Sequence, residues 1–117
     1  MARHNALGKL GEEQARRYLL DKGFSILEQN WRAGRLEVDF IAIDGAEIVV
    51  VEVKTRARPG DRPGELLSAA KCRRLMVAGE LYVESRGIMM EIRFDLVVVS
   101  GGGKVVEHVR DAIRLHE

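Results

Sequence analysis

With 117 residues, 46% of them hydrophobic, and one cysteine, the chain has the size and composition of a single globular domain over residues 1–117, and it cannot build an intrachain disulfide or a cysteine-rich zinc site. A formal net charge of +1 argues against a polyanion-binding surface that covers the whole molecule. No apolar run approaches the roughly 18 residues of a membrane span and no signal-peptide stretch stands near the N-terminus, so a cytoplasmic protein without a membrane partner is expected.

In chain order, Leu7, Leu10, Gly11, Gln14, Ala15 and Tyr18 recur at helical spacing, and Gly23 stops that helix after Lys22. Phe24 to Trp31 reads as a strand, and Arg35 to Lys54 as a β-hairpin whose turn is signalled by Asp44-Gly45. Arg56 to Gly64 contains both prolines and reads as a loop able to order on binding. Glu65 to about Ser85 forms a second helix, with Leu67, Ala70, Ala78 and Leu81 facing inward. Ile88 to Val99 and Val105 to Val109 are strands joined through Ser100-Gly101-Gly102-Gly103-Lys104, and a short helical tail follows. The order α-β-β-β-α-β-β predicts an α/β fold with a central mixed sheet of about five strands flanked by helices.

Charge falls where this pattern disfavours it. Ile48 to Val51 is a run of apolar β-formers that reads as a buried central strand, yet Glu52 and Lys54 close it, and Asp39 lies in the preceding strand. Alternation puts Glu52 and Lys54 on one face, with Val51 and Val53 on the other. Whether Asp39 joins them depends on the turn. With Asp44-Gly45 as a two-residue loop, Ile43 faces Ala46 and Asp39 falls opposite Val50, diagonal to Glu52. A four-residue loop from Asp44 to Glu47 puts Asp39 directly across from Glu52, whereas a three-residue loop would turn it to the wrong face. An even-numbered loop, or a bulge that restores the parity, is therefore expected. Two carboxylates on adjacent strands suit Mg²⁺ or Mn²⁺, hard ions that prefer oxygen and keep several waters.

From Lys54 to Arg74 seven basic residues (Lys54, Arg56, Arg58, Arg62, Lys71, Arg73, Arg74) stand against two acidic ones (Asp61, Glu65), which places positive charge just after the acidic cluster. A phosphodiester backbone would need holding there; a solvated loop and helix face is the plain alternative. On the second helix Lys71 and Arg74 fall within the arc of the apolar positions, so they either snorkel outward or reach a phosphate or carboxylate beside the sheet. Glu12 borders the apolar stripe of the first helix, where its plain role is an ion pair with Arg16. Arg93 and Asp95 share a strand face and can pair. His4, His108 and His116 lack metal-ligand spacing and read as surface or helix-end residues. Gly101 to Gly103 do not lead from a strand into a helix, so they read as hairpin turn and not as a phosphate loop. Trp31 reads as a core or edge anchor.

The pattern Asp39, then Glu52-Val53-Lys54, resembles the active-site signature of the PD-(D/E)XK nuclease superfamily, and more closely the YraN family of predicted endonucleases related to Holliday-junction resolvases. The resemblance extends through Gly8-Lys9-Leu10-Gly11-Glu12, Asn30-Trp31-Arg32, Glu37-Val38-Asp39-Phe40-Ile41, Val51-Glu52-Val53-Lys54-Thr55-Arg56, Lys71 with Arg73-Arg74, Arg93-Phe94-Asp95, and His108 with Ala112. Two positions depart from the pattern: Val38 replaces the proline before the aspartate, and Leu36 replaces a glycine usual before the Glu-X-Asp stretch.

The resemblance implies a restriction-endonuclease-like fold and metal-dependent hydrolysis of nucleic-acid phosphodiesters, with DNA favoured over RNA and branched or flapped DNA among the substrates. Asp39 and Glu52 would hold Mg²⁺ or Mn²⁺, Lys54 would act on the attacking water or the phosphoryl charge, and Glu12 would complete the site. Arg56, Lys71, Arg73, Arg74 and Arg93 would contact the nucleic acid. A homodimer and a DNA-repair or recombination protein are the partners implied. Two other classes fit the residues: a nuclease-like module that binds nucleic acid or a repair partner without cleaving, and a metal-dependent enzyme acting on a small phosphoester, for which a deep closed pocket would speak.

Overall fold

The spacing of apolar residues produces two helices and five strands in the computed structural model, which describes residues 2–56 and 67–113, with side chains from residue 9 onward except at 56 and 106. They are α1 (Ala2–Asp21), β1 (Ser25–Ala33), β2 (Leu36–Asp44), β3 (Glu47–Arg56), α2 (Ala69–Arg86), β4 (Glu91–Ser100) and β5 (Val105–Val109). The strands form one sheet in sequence order, β1-β2-β3-β4-β5. Only β3 and β4 run parallel, and α2 is their crossover; the other neighbours are antiparallel. This is the expected mixed α/β architecture.

The sheet is apolar on both faces because a helix covers each. Ala15 and Leu19 of α1 pack with Phe24, Phe40, Ala42, Val49, Val51, Val97 and Val99. Cys72, Leu75, Ala78 and Tyr82 of α2 pack with Val38, Ile41, Ile48, Val50, Leu96 and Val98 on the other face. β3 therefore alternates between two cores, and charged side chains at its C-terminal end project into whichever helix stands above them.

Local signals account for the element ends. Helix α1 stops as the Gly23 spacing predicts, with Gly23 at φ +90 and Phe24 N–H donating to Leu19 C=O. Ser68 caps α2 by accepting from Lys71 N–H, and Gly87, at φ 65, closes it. Because the helix begins only at Ala69, Leu67 lies before the cap and cannot mark its inward arc; the buried residues are Cys72, Leu75, Ala78, Gly79 and Tyr82, and Leu81 is exposed. Ser100 N–H donates to Lys104 C=O, forming the expected turn between β4 and β5. Residues 57–64 of the expected loop, with Arg58 and Arg62, lie outside the described residues, as do Glu65 and the end of the helical tail. Among the described residues no helix is long and apolar enough to cross a membrane.

The turn between β2 and β3 consists of Gly45 and Ala46, with Asp44 paired to Glu47 and Ile43 to Ile48. Positive φ occurs at Gly45 but not at Ala46, the requirement of a turn with glycine in the first central position. The loop is even, as parity demands. Its register is the one that carries Asp39 toward Glu52, although Asp44 and Glu47 end the strands instead of joining the loop.

Gly79 lets α2 lie close to the sheet: a Cβ there would stand 3.1 Å from the Phe94 ring and 3.2 Å from Val50 Cγ2. Gly79→Val should destabilise the protein by about 1–3 kcal/mol, read as a fall in the urea midpoint with an unchanged m-value.

Candidate functional site

The site forms where β2 leaves β3. The β2–β3 ladder ends at Phe40↔Val51. On β2, Ile41 and Val38 pack on the α2 side while Phe40 and Ala42 pack on the α1 side, so the regular alternation breaks at Asp39. β1 breaks at the matching place: Gln29 pairs with Phe40 and Trp31 with Val38, and Asn30 between them has φ 53. Glu28 and Trp31, three positions apart, both reach Tyr82 of α2, which requires such a turn-over.

With β2 bending away, Asp39 satisfies β3 through its side chain. Val53 N–H donates to Asp39 Oδ2 at 2.7 Å. The Asp39 carboxyl also hydrogen-bonds the carboxyl of Glu52, so the two acids meet as expected. Burial of Asp39, followed by its hydrogen bond and its repulsion with Glu52, pushes its pKa from the ordinary 3.8 up to about 9; the Val53 N–H lowers it and the Glu12 charge raises it. Asp39 therefore keeps its proton at neutral pH.

Glu52 itself is only 4% exposed. Lys71 Nζ lies 3.0 Å from Glu52 Oε2, so the inward reach expected of Lys71 ends on a carboxylate. The approach is off the direction of a hydrogen bond, and Oε2 is buried without a hydrogen-bond partner among the described residues. Lys54 lies two residues beyond Glu52 on β3, beside Val98 of β4, and is half-buried. It makes no ion pair or hydrogen bond among the described residues, which leaves its ammonium available.

Glu12 departs from its plain reading. Arg16 and Arg17 pair with Glu13, at 3.6 and 3.2 Å, while Glu12 accepts from Asn30 Nδ2 at 3.3 Å and acts electrostatically on Asp39. Asn30 was not singled out as a site residue from the sequence. A polar residue that tolerates left-handed backbone, set among the strand-formers Ile26 to Trp31, was the signal available.

These residues fit a divalent cation of the magnesium type. A positive ion would relieve both the Glu52 oxygen that lacks a hydrogen bond among the described residues and the raised pKa of Asp39. Among the described residues no three acids, histidines or cysteines cluster as a complete ligand set. Mg²⁺ needs only one or two carboxylates and otherwise keeps water.

The basic residues divide. Arg73 and Arg74 are exposed on α2, and Arg74 does not share the inward direction of Lys71, because the buried arc is centred on Leu75, Gly79 and Tyr82. With Leu36, Ala70 and Val77 they line an open groove of about 360 Å³, which contains neither acid of the site. Arg56 ends β3 opposite Ser100, but its side chain lies outside the described residues.

Arg93 is committed to carboxylates, and pairing is the role its geometry favours over phosphate contact. It grips Asp95 through Nε and Nη2, both at 2.9 Å, and meets Glu47 at 3.0 Å and Asp44 at 2.9 Å, with 11% of its side chain exposed. His108 is not a surface residue: its side chain is 6% exposed, with Nε2 2.8 Å from Asp95 Oδ2 and Nδ1 3.0 Å from Tyr18 Oη. Alternation along β5 turns it toward α1, where Phe24 and Tyr18 flank the ring. Trp31 is an anchor, edge-on to Tyr82 at 5.2 Å between centroids.

Residues 11–99 match the model of the uncharacterised protein family UPF0102. A UPF0102 protein of Phocaeicola vulgatus is 38% identical over 116 residues, which span 96% of this chain and 95% of the relative. Another, from Flavobacterium psychrophilum, is 42% identical over 115 residues, 96% of this chain and 97% of the relative. One from Oleidesulfovibrio alaskensis is 46% identical over 106 residues, 89% of this chain and 52% of the relative.

Two opposite pH dependences follow. A raised pKa means that the contribution of Asp39 to stability is complete below the ordinary carboxylate value and is lost as pH rises through about 9. Asparagine reproduces the protonated acid, accepting from Val53 and donating to Glu52. Asp39→Asn should therefore stabilise the protein at pH 8 by on the order of 1 kcal/mol and flatten the dependence of Tm on pH. Burial alone would raise Asp95, but His108, Arg93 and the Asp111 N–H together lower it. Its contribution is present above the ordinary carboxylate pKa and fades in acid. Asp95→Ala, which strands Arg93, should cost about 3–5 kcal/mol at pH 7, measured by urea unfolding.

Proposed function

The chain belongs to the UPF0102, or YraN, family, and from that premise we propose that it is a metal-dependent endonuclease of the PD-(D/E)XK type acting on DNA in the cytoplasm. The observation that carries this reading is the meeting of Asp39 and Glu52 at the strand divergence, beside Lys54, which has no ion pair among the described residues. Stability alone does not favour two buried acids in contact, and a carboxyl pushed as far up as Asp39 is typical of functional sites.

Asp39 and Glu52 would hold Mg²⁺ or Mn²⁺, and the bound ion would polarise the scissile phosphate, lower the pKa of the attacking water and neutralise the leaving oxygen. Asp39, fixed by Val53 N–H, keeps its carboxylate beside Glu52 without relying on the β2 backbone. Lys54 orients the attacking water or stabilises charge on the phosphoryl oxygens. Glu12, steadied by Asn30, adds negative charge at the rim. Arg73 and Arg74, exposed one helical turn from Lys71, hold the backbone of the nucleic acid, and Arg56 at the end of β3 extends the same basic side. Phosphate contacts position a substrate without reading bases, so recognition rests on DNA structure, with branched or flapped forms the implied substrates.

The Glu52–Lys71 ion pair favours the second reading, a nuclease-like module that binds nucleic acid or a repair partner without turnover. One comparison separates the two. Purified protein should cleave branched and linear DNA in Mg²⁺, and Lys54→Ala should lower the rate at least about a hundredfold while keeping the circular dichroism and Tm of the wild type. Equal rates in the two proteins would assign the cleavage to a contaminant, and binding without cleavage by wild type would support the module.

A further inference from the structure

A buried carboxylate needs a positive charge or several donors. Among the described residues Glu52 Oε2 has one neighbouring positive charge and no hydrogen bond: Lys71 Nζ at 3.0 Å neutralises it without completing it. Lys71 is the more mobile partner, with 27% of its side chain exposed against 5% for Glu52, and its ammonium contacts no second acid among the described residues. Lysine carries a point charge on a flexible four-carbon stem, so its head moves at little cost. Its backbone, by contrast, is fixed by the Ser68 cap.

Two cations crowded onto one buried oxygen repel each other strongly, so each opposes the other's binding. Resting on the metal reading above, we propose that Lys71 is the exchangeable counter-ion of the site: it occupies Glu52 Oε2 until a divalent cation takes that oxygen, and its released ammonium then meets a phosphate oxygen of the substrate. Lys71 is thus a positioning residue whose pairing with Glu52 opposes metal binding. A merely structural ion pair would act in the other direction, since breaking it would disorder Glu52 and weaken the metal.

Mn²⁺ titration followed by electron paramagnetic resonance, without substrate, reads that sign. Lys71→Gln should bind Mn²⁺ at least about fivefold more tightly than wild type, Lys71→Arg should bind no more tightly than wild type, and Glu52→Gln should remove the gain. Unchanged or weaker binding by Lys71→Gln overturns the proposal while leaving the metal reading intact; absence of Mn²⁺ binding in every protein overturns both. Should Lys71→Gln fail to fold, wild type labelled with ¹⁵N-lysine gives the answer: the Lys71 ammonium signal should shift on saturation with Mg²⁺, and an unmoved signal overturns the proposal.

Discussion

Two carboxyl groups pressed together at the end of a ladder organise this molecule. Asp39 reaches β3 because the β2 backbone stops doing so after Phe40, and it meets Glu52 where a regular sheet would place two backbone bonds and two apolar side chains. Bringing like charges into a low-dielectric site is unfavourable, and the pair responds by keeping a proton, with Asp39 pushed up to about 9. That arrangement persists because its surroundings are fixed: two apolar cores clamp the sheet from both faces, with Val38 in one and Phe40 in the other on either side of Asp39.

The rest of the site answers that concentration of negative charge. Lys71 comes from α2 to Glu52, Asn30 holds the Glu12 carboxylate, and Lys54 stands on the same strand face as Glu52, without a partner among the described residues. A second charged network, Arg93, Asp95 and His108, is built on the opposite logic. Every acid there is matched by donors, its members are deeply buried, and it ties β4 to β5, to α1 and to the turn between β2 and β3. Satisfied charge serves the fold; the unsatisfied pair at Asp39 and Glu52 is the feature that calls for a ligand.

Much of this was legible in the chain. Period-two runs, Gly23 and the Asp44-Gly45 region gave the element order, and a charged Glu52 and Lys54 after four apolar β-formers marked the site. Hairpin parity fixes the β2–β3 register, but alternation continued past Phe40 does not foresee that both strands turn over, a change that accompanies the left-handed Asn30. Arg74 lies off the buried face because Leu81 is exposed and Ala70 only half-buried, so the inward arc is centred on Leu75, Gly79 and Tyr82 instead of on the line through Ala70 and Leu81. His108 read as peripheral because nothing local marks it; its partners, Tyr18 and Asp95, lie 90 and 13 residues away. Long-range partners were the part that periodicity could not supply.

The central claim is that the Asp39–Glu52 pair is built to hold a divalent cation. Anomalous scattering from crystals grown with Mn²⁺ tests it most directly. The account predicts a manganese peak within coordination distance of carboxylate oxygens of both residues, roughly 2.0–2.2 Å for such hard-ion ligands, and no peak at that place in Asp39→Asn. Manganese bound only elsewhere, or an unchanged Asp39–Glu52 pair with Lys71 still on Glu52 at saturating metal, would contradict it.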